Sequence, residues 1–253
     1  MHNINKTQNV YDNETFFEGY KALRSKSYTA NEAEEKPALF SLLPPLCGST
    51  VLDLGCGFGE NCECFSRMGA ALVVGVDISE KMLEVAKREH PYATYVREDM
   101  NELAPLAENS TLPKEYDIVV SSLAVHYIRD MNKLALQVFS LLKSGGCFLF
   151  SQEHPLTTAP INGVEWETDG ENTTAYKLSD YGRSGERKVD WFINGVIKYH
   201  RTFSELFSAL TAAGFTVTEM VEPFPTEEDT VKLPKRAKNL HKPNFLLIKA
   251  VKP

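Results

Sequence analysis

Val51-Leu-Asp-Leu-Gly-Cys-Gly-Phe-Gly59 reads as a buried β-strand running straight into a glycine-rich turn. Val51, Leu52 and Leu54 form a short apolar, β-leaning run. Gly55, Gly57 and Gly59 permit positive φ and remove the Cβ atoms that would hold a ligand off the backbone. A helix is expected from Glu60 to about Met68, closed by Gly69, and then a second apolar strand, Leu72 to Val76, that carries Asp77 to its tip. Strand, turn, helix, strand and acid make one half of a nucleotide-binding α/β sheet, with the acid placed to accept hydrogen bonds from ribose hydroxyls.

The glycine spacing separates two ligand classes. A dinucleotide fingerprint counted from Gly55 requires glycine at position 60, where this chain has Glu60; the pattern here is G-x-G-x-G, with Asp53 two residues ahead of it. The stretch from Asp53 to Gly59 resembles the first motif of the class I S-adenosylmethionine-dependent methyltransferases, and four further segments follow in that family's order. Val73-Val-Gly-Val-Asp77-Ile-Ser79 is similar to the second motif, which implies Asp77 on the ribose hydroxyls and Ile78 against adenine. Ser79 suits the N-cap of the next helix, whose Met82 projects from the first turn toward the adenine position, although core packing would serve Met82 equally well.

Thr94-Tyr-Val-Arg-Glu-Asp99-Met100 resembles the third strand, with Asp99 implied on the adenine amino group and Met100 beside it. Tyr116-Asp-Ile-Val-Val-Ser-Ser-Leu123 resembles the fourth, with Ser121 and Ser122 implied on the sulfonium side. Leu141 to Phe150 is similar to the helix end, turn and fifth strand. The resemblance implies a doubly wound, seven-stranded, mostly parallel sheet with an antiparallel last strand and a lid insertion, binding its ligand at the carboxyl ends of the strands. Phe215 to Val221 and Phe245 to Val251 are expected as the antiparallel sixth and seventh strands.

Two sheet-covering helices are legible beside these strands. Met131, Leu134, Val138 and Leu141 share one face of a helix over about 130–142. Thr202-x-x-Glu205 reads as a capping box for a helix with Phe203, Leu206, Phe207 and Leu210 on its apolar side. The chain is thereby divided into an N-terminal helical cap (1–45), a cofactor-binding core (46–151), a substrate lid (152–201) and the C-terminal part of the sheet (202–253).

Composition narrows the function. The 253 residues carry 27 Lys and Arg against 34 Asp and Glu, a net charge of −7, which opposes the basic footprint of a nucleic-acid binder. The fourth strand has Ser121-Ser-Leu-Ala124 where methyltransferases of exocyclic base amines typically carry Asn or Asp followed by two prolines. A small organic acceptor, uncharged or cationic, is the expected partner, with no nucleic acid and no membrane, the protein acting as a monomer or homodimer. The N-terminus lacks a signal-peptide run and no apolar stretch approaches the roughly 18 residues of a membrane span, so a cytoplasmic location is expected. The five cysteines, Cys47, Cys56, Cys62, Cys64 and Cys147, show no paired metal-ligand spacing, so no metal is expected. Cys56 is expected to present backbone rather than sulfur to the cofactor.

Ser151-Gln-Glu-His-Pro155, Tyr199-His-Arg-Thr202 and Phe17-Glu-Gly-Tyr-Lys-Ala-Leu-Arg24 resemble a bacterial small-molecule subgroup of the family, the type 11-like methyltransferases. That likeness implies that an N-terminal tyrosine, Tyr20 ahead of Tyr28, closes over S-adenosyl-L-methionine. The lid's Trp166, Tyr176, Tyr181, Trp191, Phe192 and Tyr199 suit an aromatic-walled pocket or ordinary core. His154 and His126, just past the fifth and fourth strands, are the candidate general bases, with Glu153 a further one; for any one histidine a structural hydrogen bond is the commoner role. His200 belongs to the lid, and Arg201 could pair with a substrate carboxylate. The competing readings are a nicotinamide-dependent oxidoreductase and a non-catalytic S-adenosylmethionine-binding protein.

Overall fold

A computed structural model of the chain describes residues 7–25, 29–170 and 172–253, so Tyr28 lies outside the described residues. The strands are β1 (Thr50–Leu54), β2 (Leu72–Asp77), β3 (Thr94–Arg97), β4 (Tyr116–Ser121), β5 (Leu142–Glu153), β6 (Glu165–Asp169), β7 (Asn172–Lys177), β8 (Gly185–Trp191), β9 (Ile193–His200), β10 (Thr216–Val221) and β11 (Phe245–Val251). The α-helices are α1 (Glu14–Arg24), α2 (Lys36–Leu42), α3 (Glu60–Arg67), α4 (Glu80–Glu89), α5 (Ala104–Glu108), α6 (Met131–Leu141), α7 (Pro155–Thr158), α8 (Phe203–Ala212) and α9 (Glu227–Lys232).

Seven strands form one sheet in the order β10-β11-β5-β4-β1-β2-β3. β1 to β5 run parallel, and β11 lies antiparallel between β5 and β10. Only the last strand is therefore reversed: β10, expected antiparallel, pairs with β11 alone and so shares the direction of the first five. Both faces are covered, which is why the central strands read as near-continuous apolar runs. Leu52, Leu54, Val74, Val76 and Phe150 pack toward α6 and α8 on one side. Val51, Val73, Ile118 and Val120 alternate to the other, against Leu39 and Leu42 of α2, Phe65 of α3 and Leu83 of α4.

The helix ends carry the expected signals. Ser79 accepts from the Met82 amide, Asp130 from Lys133, and Thr202 and Glu205 complete a reciprocal capping box, so the orphan donors of three first turns are satisfied by side chains. Phe207, expected on the apolar side of α8, is instead 48% exposed, because the buried stripe runs through Leu206, Ala209 and Leu210. β5 continues through Gln152 and Glu153, which pair with Leu246 and Phe245, so the strand extends two residues past the expected start of the lid. The insertion proper contains two antiparallel hairpins, β6–β7 and β8–β9. No helix among the described residues is long and apolar enough to cross a membrane.

Candidate active site

Between β1 and β4 the strand order reverses, and there a doubly wound sheet leaves a crevice at its carboxyl edge. Two contiguous chambers occupy it, of about 320 Å³ and 110 Å³. Gly55 and Gly57 from the end of β1 and Ser122 and Leu123 from the end of β4 border both, as do Tyr11, Tyr20 and Tyr127. Glycine is required at two of these positions. A Cβ on Gly55 would stand 2.5 Å from that of Ala124, whereas Gly57, at φ +54°, would project one into open space. Four of the turn's amides are already engaged: Gly55 and Cys56 both donate to the Val76 carbonyl, Gly57 to Asp77 and Gly59 to the Cys56 carbonyl. What the turn leaves for a ligand is its bare Cα surface and the Phe58 amide, which has no protein partner among the described residues.

The smaller chamber gathers most of the residues expected on adenosine. Asp77, Ile78, Met82, Asp99 and Met100 line it together. Asp77 takes the Gly57 amide on Oδ2 and the Ser79 amide on Oδ1, each at 2.9 Å. Burial pushes its carboxyl up to about 6 against the opposing effect of those amides. Asp99 Oδ1 accepts from the amide and side chain of Asn101, which also borders the chamber. Met82 is wholly buried and packs on Phe17 as well, so its core and cavity roles coincide.

Asp53 and Ser121, expected on the cofactor, line neither chamber. Strand alternation turns Asp53 to the same face as Val51, where Cys62 of α3 donates to its Oδ2 at 3.4 Å, Oδ1 has no partner, and burial raises the carboxyl to about 7. Ser121 is fully buried and gives its hydroxyl to the Leu54 carbonyl at 2.8 Å. Ser122, one residue on, is the cavity serine. The Cys56 thiol is buried and pushed up to about 11, with only the residue's edge on the larger chamber.

The larger chamber is lined by His126, Glu153, Trp191 and Phe245, together with Arg24, Asn31 and Glu60. His126 Nδ1 accepts from the Glu153 amide at 3.4 Å, and burial drives its imidazole down to about 4, so it is neutral at pH 7 with its remaining ring nitrogen a donor. Burial raises the Glu153 carboxyl, but the charge and hydrogen bond of Lys198, whose Nζ lies 2.6 Å from its Oε1, work against it, and the group is held below the usual range.

His154 stands outside both chambers. Glu153 ends β5 facing the crevice, and the next residue turns away: His154 Nδ1 caps α7 at the Leu156 amide and Nε2 meets Glu222 Oε1 at 2.8 Å. Expected as a base, it has both nitrogens engaged, no exposed surface and no place in the lining of either chamber. His200 is likewise held by Thr158 and the Tyr181 carbonyl, and Arg201 donates to the Ile128 carbonyl beside a separate groove. Of the lid aromatics only Trp191 reaches the crevice; Trp166 pairs with Tyr176, and Tyr181 packs on His200.

The remaining aromatic wall joins Tyr20, expected at the cofactor, to Tyr11 and Tyr127, which were not singled out in sequence. Tyr11 meets Tyr20 and Tyr127 edge-on at 5.3 and 6.1 Å, and Tyr20 meets Trp191 at 6.0 Å, joining the N-terminal segment to the β8–β9 hairpin across the crevice. Arg24 was also missed. It sits four residues after Tyr20 on α1, hence on the same face, and that spacing could have found it. Its guanidinium donates to Asn31 and Glu60.

Similarity to known proteins agrees with this geometry. Residues 52–150 match the family described as methyltransferase domain. A solved S-adenosylmethionine-dependent methyltransferase from Mesorhizobium loti superposes with a TM-score of 0.78 at 38% identity, covering 86% of this chain and 97% of that one. The chain belongs to the S-adenosylmethionine-dependent methyltransferases. An uncharacterized protein of Haemophilus influenzae is 38% identical over 98% of this chain and 99% of its own length. A ubiquinone biosynthesis O-methyltransferase of Ralstonia nicotianae is 28% identical over 71% of this chain and 65% of its own. The cofactor of this methyltransferase is S-adenosylmethionine, and the nicotinamide alternative falls. Asp77, Ile78, Asp99 and Met100 fit the nucleoside in the smaller chamber, and the open space at Gly57 fits close approach of the amino-acid part.

Proposed function

We propose that this methyltransferase transfers a methyl group to a small organic acceptor held in the larger chamber. The observation that carries the reading is the joint at the glycine turn. One chamber is lined by the buried carboxylate of Asp77 with apolar Ile78, Met82 and Met100, the other by aromatic rings with His126 and Glu153, and both meet at Gly55, Gly57 and Ser122. S-adenosylmethionine supplies a methyl on a sulfonium, activated for in-line displacement. Asp77 would hold the ribose hydroxyls, Asp99 the adenine edge, and Arg24 the cofactor carboxylate. Orientation in a chamber walled from water by the Tyr11, Tyr20 and Trp191 rings would supply much of the rate, positioning alone being worth about 7–11 kcal/mol. The O-methyltransferase relative supports a small acceptor.

Asp77→Ala tests the cofactor half. Two charge-assisted hydrogen bonds to ribose are worth about 1.5–3 kcal/mol each, so S-adenosylhomocysteine affinity measured by calorimetry should fall at least roughly 100-fold. A change under about threefold would remove the ribose assignment. Incubating wild-type protein with labelled cofactor and a metabolite extract tests the transfer: bound cofactor without any methylated product would leave a non-catalytic binding protein.

A further inference from the structure

The acceptor end of the larger chamber contains groups that turnover of an arbitrary small molecule would not need. Glu153 closes β5 with Oε1 on Lys198, while its second oxygen has no protein partner among the described residues. His126, adjacent through the Glu153 amide, uses Nδ1 as an acceptor and so carries its proton on Nε2, which likewise has no protein partner there. The two residues that carry this free carboxylate oxygen and this free N–H donor line the same chamber. A hydroxyl, which donates once and accepts with its lone pairs, satisfies both.

Charge excludes the alternatives. Aromatic faces beside a carboxylate would ordinarily attract a cationic amine. Here the chain's own ammonium already holds that carboxylate and lies against two of the rings from outside the chamber lining: Lys198 Nζ is 2.6 Å from Glu153 Oε1, 5.2 Å from the Trp191 ring centroid and 6.0 Å from that of Tyr127. An anionic acceptor meets the Glu153 carboxylate, and Arg24, the only cationic side chain lining the chamber among the described residues, is already held by Glu60 and Asn31. His126 is neutral and offers no charge. Tyr127, Trp191 and Phe245 make the surrounding wall flat and apolar.

We infer that the acceptor is a neutral aromatic molecule methylated on a hydroxyl, with Glu153 the catalytic residue that takes its proton and His126 the donor that fixes its oxygen. This rests on the methyl-transfer reading above. The acceptor oxygen's lone pair forms the O–CH3 bond as the C–S bond breaks, its electron pair moving to sulfur, which becomes a neutral thioether. The O–H proton passes to the Glu153 carboxylate and from there to water. The ion pair with Lys198 keeps that carboxylate charged and ready.

The test uses binding and turnover together. With the protein saturated in S-adenosylhomocysteine, calorimetry should show naphthol binding at least about tenfold tighter than naphthoate or naphthylmethylamine, and Glu153→Gln should erase that preference. Tighter binding of the carboxylate or the amine, or no preference, overturns the inference. In turnover with labelled cofactor and a metabolite extract, mass spectrometry should identify aryl methyl ethers. Glu153→Gln should lower kcat by about 100-fold or more at unchanged cofactor affinity, with Glu153→Asp partly restoring it. The double variant Glu153→Gln/Lys198→Met, which leaves no buried lone ammonium, should show the same loss; full turnover in that variant overturns the role of Glu153. Methyl esters or N-methyl products as the sole output overturn the acceptor class and leave methyl transfer standing, whereas no product at all brings down methyl transfer itself.

Discussion

Glu35 and Ser122, 87 residues apart, share a 2.9 Å hydrogen bond: the cavity serine donates its hydroxyl to a carboxylate with no exposed surface. The same oxygen accepts from Ser151 at 2.5 Å, and Oε2 accepts from Asn31 at 2.6 Å, so one carboxylate from the N-terminal cap ties two core strand ends together. Because Ser122 gives away its proton, what it offers the crevice is an acceptor lone pair, suited to the ammonium of a methionine moiety. Glu35→Ala strands three polar groups and should cost on the order of 2–4 kcal/mol in urea denaturation, with S-adenosylhomocysteine affinity down about tenfold. Unchanged affinity would separate the cap from the cofactor site.

Arg24 gives a more selective outcome. If its guanidinium takes the cofactor carboxylate, Arg24→Met should weaken S-adenosylhomocysteine by roughly 10- to 100-fold, the worth of a charged hydrogen bond, and leave adenosine, which has no carboxylate, unaffected. Equal losses for both ligands in calorimetry would place Arg24 in a structural role with Glu60 and Asn31.

The residues legible in sequence are those whose position follows from a local rule. Gly55, Gly57, Asp77, Ile78 and Asp99 lie at strand ends in contiguous motifs, and the doubly wound order carries strand ends to one edge. Asp53, Ser121 and His154 sit one residue to the wrong side of that edge, where the alternation of β1, β4 and β5 turns them into the packed layers; a motif gives proximity in sequence but not the face. Tyr11, Tyr127, Glu35 and Lys198 reach the site through contacts more than 40 residues long, Lys198 meeting Glu153 across 45 and Tyr11 meeting Tyr127 across 116. No local pattern marks such residues.

His154→Ala should therefore separate stability from chemistry. The side chain caps α7 and meets Glu222 and the Phe203 ring, and loss of a cap with its packing should cost about 1–3 kcal/mol in chemical denaturation. Turnover at saturating cofactor should stay within about twofold of wild type. A large fall in kcat at unchanged stability would return His154 to the active site.

Asp53 makes stability depend on pH in a predictable direction. Burial raises its carboxyl to about 7 and that of Asp77 to about 6, so the folded chain holds these protons more tightly than the unfolded one does. Well below both unfolded values the effect vanishes; as pH climbs toward 7 the folded chain must ionise groups that resist it, and stability falls, levelling above that point. The buried His126 imidazole, held down to about 4, works the other way over the same window, so the Asp53 contribution is read as a difference: the stability gained by Asp53→Asn over wild type in denaturation of the ligand-free protein should be larger at pH 8 than at pH 5.5. Asp53→Asn, which removes the larger shift, should recover on the order of 1–3 kcal/mol at pH 8, one pKa unit being worth 1.36 kcal/mol. The thiol of Cys62 remains beside the new amide, so the packing against α3 is kept while the charge is not.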